Sequence, residues 1–123
     1  MGYWGKRSYQ NDACMDEIPK SFLENKSPTA RQITNTLQKV FNPLKHFYSV
    51  YEKMEIRLGS VIYFLETQKH PAIDDEYLKK AIAYANSLKN NSTYISNWKV
   101  PEARRKQLEK EIQILKKAQN EHA

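Results

Sequence analysis

A single cysteine, Cys14, has nothing to pair with, so an intrachain disulfide framework is excluded. Three glycines and five prolines are too few for the many tight turns of a β-sandwich or barrel. No apolar run approaches the ~18 residues needed to cross a bilayer. No basic stretch leads into an apolar core, so no secretory signal is read and a cytoplasmic location is expected. Gly2 invites a myristoylation reading, but Lys6 stands where that motif needs Ser or Thr. The glycosylation tripeptides at Asn25, Asn90 and Asn91 then carry no weight. The three histidines, His46, His70 and His122, lie far apart and lack partners at ligand spacing. Neither a metal nor a cofactor is expected. There is no phosphate loop, dinucleotide glycine pattern or nucleophile elbow.

What is present suits a single soluble domain. The chain has 123 residues, 40% hydrophobic and 28% charged, enough to bury one core. Its formal charge is +6, from 20 basic and 14 acidic residues. Both signs are mixed along most of the chain, which favours solubility over a dedicated anionic partner. Fifteen lysines against five arginines, with nine asparagines, suggest the AT-rich codons of a bacterial or phage source.

The hydrophobic pattern is helical throughout. Residues 1–10 are aromatic and non-periodic, and read as an irregular arm. Asn11 or Asp12 can cap a short first helix that packs Ala13, Met15 and Ile18 and stops at Pro19. Phe22 and Leu23 are expected to dip into the core. Ser27-Pro28 reads as a helix start, followed by Ala30, Ile33, Leu37, Val40 and Phe41 at spacings of three and four. Asn42-Pro43 repeats that start signal and predicts a break. A helix over 43–69 places Leu44, Phe47, Val50, Tyr51, Met54, Leu58, Val61, Ile62 and Leu65 on one stripe about 120° wide. Ile56, Tyr63 and Phe64 fall off it, so the second half is expected to touch several neighbours. Gly59 in its interior costs about 1 kcal/mol against alanine, and close approach of another backbone is the expected return.

After His70-Pro71, the acids Asp74, Asp75 and Glu76 open a further helix with Tyr77, Leu78, Ala81, Ile82, Ala85 and Leu88 buried. Asn90-Asn91-Ser92 is a joint, and Tyr94, Ile95 and Trp98 anchor a short turn. Val100-Pro101-Glu102 opens the last helix, with a narrow stripe of Leu108, Ile112 and Leu115. The expectation is an all-α domain over 1–123: an irregular arm at 1–10 and a compact antiparallel bundle of about five or six helices over 11–123.

Three constellations carry possible chemistry. Tyr3, Trp4 and Tyr9 in the arm, with Asp16, are candidates for protein binding, since aromatic residues anchor interfaces. The competing reading folds the arm over the bundle, with Gly2 and Gly5 permitting a tight course and Asp16 bracing its polar groups. Arg104, Arg105, Lys106, Lys110 and Lys117, with Lys99 and Lys116, make the last helix basic and are candidates for phosphate contacts. Lys106, Lys110 and Lys117 share a face. Asp12 and Asp16 are four apart and could split their pKa values as an acid–base pair, with Cys14 as a nucleophile. Helix capping and burial as a small hydrophobe are the structural readings of those same residues.

Gly2, Trp4, Gly5, Tyr9, Asn11, Asp12, Ala13 and Asp16 together form Met-Gly-x-Trp-Gly, an aromatic, Asn-Asp-Ala and a further aspartate. This opening resembles the bacterial family called domain of unknown function 4259. The resemblance implies a small stand-alone helical protein and supplies no activity. The preferred expectation is a non-catalytic protein-binding module of the inhibitor, immunity or regulatory type, related to phage or bacterial defence. Its partner is another protein, or a second copy through the last helix and Ile56, Tyr63 and Phe64. Nucleic-acid association through the basic helix is the first alternative, and an enzyme centred on Asp12 and Asp16 the second. No membrane partner is expected.

Overall fold

The computed structural model describes residues 5, 7–18, 29–42, 44, 48–68 and 73–122, leaving out the side chains at 12, 13, 16 and 122. The described residues form six helices and no strand, an all-α bundle. They are α1 (Asp12–Glu17), α2 (Ala30–Phe41), α3 (Val50–Thr67), α4 (Asp75–Asn90), α5 (Ser92–Ser96) and α6 (Pro101–His122). No described helix is long and apolar enough to cross a membrane.

Local chemistry sets the helix starts. The Asn11 side chain accepts from the Cys14 amide and caps α1. Thr29 with Gln32, and Ser49 with Glu52, form reciprocal capping boxes at α2 and α3. The predicted start at Ser27-Pro28 is corrected: Thr29 is extended and caps the helix, which opens at Ala30. The expected helix over 43–69 is corrected. Asn42 closes α2, and α3 begins only after Ser49, whose capping box satisfies the Ser49 and Glu52 amides at the new helix end. Leu44 and Tyr48 are buried ahead of that helix. At the start of α4, Asp75 and Glu76 face the helix dipole and pair with Lys79 and Lys80.

α3 is the central helix. It packs against α1, α2, α4 and α6, as its apolar second half predicts. Ile56, Leu58, Val61, Ile62 and Phe64 are fully buried, and Tyr63 nearly so. Val50, placed on the expected core stripe, is instead exposed, and Tyr51, Met54 and Leu65 are only partly covered. The helix is gripped most tightly around Gly59, so burial follows its neighbours rather than one straight stripe.

Contacts at the two ends set helix directions. Tyr51 reaches Asn91, and Tyr94 reaches Glu55, so the start of α3 meets the end of α4. Gln119 reaches Asp75, so the end of α6 meets the start of α4. α4 therefore runs against both α3 and α6, which share a direction. Arg57 on α3 donates to the carbonyls of Val40 (2.9 Å) and Asn42 (3.1 Å), satisfying the open end of α2. α4 and α6 pack against each other, and their Leu78, Leu88, Leu108 and Leu115 are fully buried, each contributing about 1.5–3 kcal/mol of burial.

Candidate functional site

The chemistry-bearing side chains converge where the arm meets α6. Residues 7–11 form a turn in which the Gln10 amide donates to the Arg7 carbonyl and the Asn11 side chain donates to the Ser8 carbonyl. Gly59 lets this turn lie on α3. A Cβ there would stand 2.8 Å from the Ser8 carbonyl oxygen and 2.8 Å from Cys14 Sγ. The close approach expected of Gly59 is thus made by the arm and α1.

Ser8 is fully buried. Its backbone N–H donates to Glu111 Oε2 at 2.9 Å, and its hydroxyl donates to Glu111 Oε1 at 2.5 Å. Gln107 donates to the same carboxylate at 3.1 Å. The Arg104 guanidinium donates to Ser8 Oγ at 3.2 Å and, through Nε, to the Tyr94 hydroxyl at 3.0 Å. Tyr94 in turn donates to Glu55 Oε2 at 2.5 Å, itself 3.8 Å from Arg104. One guanidinium thus lies between two carboxylates, relayed by two hydroxyls. Its planar face stacks on Trp98, 4.6 Å from the ring centroid. Burial pushes the Glu111 carboxyl above its ordinary value, against the opposing pull of Ser8, Arg104 and Gln107. Burial likewise pushes the Tyr94 phenol up, so it stays protonated and able to donate.

These groups are bonded to one another and shielded from solvent. Arg104 is 2% exposed and Glu111 is 0% exposed, which removes both from any surface role in the free protein. The expectation that Arg104 contacts phosphate is corrected on that ground. Arg105 is half-exposed and pairs with Glu102. Lys106, Lys110 and Lys117 are exposed on α6, as a phosphate-binding face requires. Tyr9 packs edge-on against Tyr63 at 5.3 Å, partly buried. Tyr3 and Trp4 lie outside the described residues, as do the side chains of Asp12 and Asp16.

Cys14 is fully buried, donating weakly to the Ile56 carbonyl at 3.7 Å. Burial pushes its thiol up to about 12, so it is no thiolate nucleophile at neutral pH. That corrects the nucleophilic role considered for it. A second buried pair joins Tyr48 to Glu17 at 3.1 Å. Among the described residues no group of three His, Cys, Asp or Glu could hold a metal ion.

Sequence reasoning missed Ser8, Glu55, Tyr94, Gln107 and Glu111 as members of one cluster. A signal was present: Arg104, Gln107 and Glu111 fall in phase with Leu108 and Leu115, on the face that must be buried. Two surface concavities lie away from this cluster and one borders it. One of about 300 Å³ is bounded by Leu65, Ile114 and Lys117, and one of about 250 Å³ by Phe41, Tyr77 and Lys80. A third of about 210 Å³ lies among Trp98, Lys99, Val100, Ala103 and Arg104. No family model, curated protein or solved structure matches the chain.

Proposed function

We propose that the protein is a small non-catalytic protein-binding module of the inhibitor, immunity or regulatory type, working in the cytoplasm of a bacterium or of a phage-infected cell. The observation that carries this reading is the inward bonding of the ionisable groups. Glu55, Arg104 and Glu111 are joined through Ser8 and Tyr94 and spend these hydrogen bonds inside the fold, Arg104 and Glu111 on the arm and Glu55 on Tyr94. Acid–base catalysis requires such groups to reach a substrate. What faces solvent instead is a helical surface with isolated apolar side chains such as Val50 and Val100. Contact is the function such a surface supports. The N-terminal likeness to domain of unknown function 4259 fits a small helical protein and assigns it no activity.

Nucleic-acid binding is the second reading, favoured by the exposure of Lys106, Lys110 and Lys117 along one side of α6. The loss of Arg104 to the interior weakens it. Self-association has less to rest on, because Ile56, Tyr63 and Phe64 are consumed in the core. The deciding experiment is a tagged pull-down from source cells with nuclease, followed by mass spectrometry. A stoichiometric protein that survives nuclease supports the first reading. Material lost with nuclease supports the second. An empty bait counts against a standing protein partner.

A further inference from the structure

Val100 is 61% exposed, immediately before Pro101 opens α6. Beside it lies the hollow of about 210 Å³ bounded by Trp98, Lys99, Val100, Ala103 and Arg104. That volume falls below the ~300–1,000 Å³ of small-molecule sites and suits one inserted side chain. Its wall is preformed. Trp98 is held by the Arg104 stack at 4.6 Å and by an edge contact with Tyr94 at 6.1 Å. Arg104 is itself fixed by Tyr94 and Ser8. A rigid wall loses little entropy when something docks on it.

The rim is positive. Lys99 lines the hollow and Lys106 follows on α6, both exposed. Neither is ion-paired among the described residues, whereas Arg105 is engaged by Glu102. A second copy would bring these lysines against their own image across a two-fold axis, which is repulsive.

We propose that this end of the molecule docks an acidic segment of a partner protein, which seats one bulky apolar side chain in the hollow bounded by Trp98 and Val100. This rests on the protein-binding reading above and gives it a surface and a partner chemistry. The test titrates the isotope-labelled full chain with a short synthetic peptide carrying Leu-Phe flanked by aspartate and glutamate, followed by NMR. The expected result is a shift of the Trp98 indole and of the Lys99, Val100 and Ala103 amides. A peptide with lysine in the flanks should produce none. Val100→Glu should weaken binding about tenfold or more, the scale of losing one anchor. Its fold should survive, because the site is exposed and a helix N-terminus favours negative charge.

Absence of shifts overturns the proposal. So do shifts centred on Leu65 and Ile114 or on Lys110 and Lys117, an equal response to the lysine peptide, or shifts that follow protein concentration alone. The two readings fail separately. A nuclease-resistant partner still captured by Val100→Glu would keep the binding function and sink this surface.

Discussion

Gly59→Ala is the sharpest test of how the arm meets the bundle. Taken alone, alanine should improve α3 by about 1 kcal/mol, since a mid-helix glycine is the poorer helix former. The added methyl would stand 2.8 Å from the Ser8 carbonyl oxygen, 3.0 Å from its carbon and 2.8 Å from Cys14 Sγ. Overpacking of this kind costs about 1–3 kcal/mol. The upper end applies, because the obstacle includes backbone that Glu111 and Asn11 hold in place. The net expectation is a loss of about 2 kcal/mol, or roughly 8 °C in Tm for a domain of this size. Urea and thermal unfolding measure it directly. Adding Cys14→Ala should recover less than half of the loss, because the Ser8 carbonyl remains. A Gly59→Ala protein as stable as the parent would refute the docked arm. Full recovery in the double variant would make sulfur the sole obstacle and remove the backbone contact.

Three further outcomes follow from the buried groups. Arg104→Ala should cost about 3 kcal/mol or more by urea unfolding, since it takes the shared cation from the buried Glu111 and the partly buried Glu55, while exposed Lys110→Glu stays within about 0.5 kcal/mol. Glu111 has a raised folded-state pKa, so the folded state holds its proton more tightly than the unfolded chain. Its contribution to stability is full below the ordinary value of 4.5 and declines as pH climbs through the raised one. Glu111→Gln should flatten that decline in a stability–pH series, and an unchanged slope would assign it elsewhere. Cys14 should resist iodoacetamide at mildly alkaline pH in the native protein and react once urea unfolds it, and rapid native labelling would contradict its burial and its pKa of about 12.

The helical class was readable from periodicity, because apolar residues at spacings of three and four bury one face wherever the chain is long enough. Gly59 was readable too, since a glycine in a strongly helical segment needs a steric reason. Asn11 was legible as a cap from its residue type alone. The start of α3 was not read correctly, although Ser49-x-x-Glu52 carried the signal, because Pro43 offered a competing start. The polar cluster was the hardest part. Arg104 and Glu111 look like surface charge in a basic, lysine-rich helix, and only the face they share with Leu108 and Leu115 separates them from Lys106 and Lys110. Nothing in the sequence pairs Glu111 with Ser8, because that contact depends on how α6 is laid across the arm.

The Ser8–Glu111 bond closes a loop of 103 residues and so ties the order of folding to the order of synthesis. The turn at 7–11 is made well before α6, which carries its main polar partner. Until α6 emerges, Ser8 lacks the Glu111 carboxylate that accepts from both its backbone N–H and its hydroxyl. Closing so long a loop is entropically slow, so the arm should be among the last parts to settle. A nascent chain stalled before α6 would therefore hold its 7–11 turn without that polar anchor, open to chaperones and proteases.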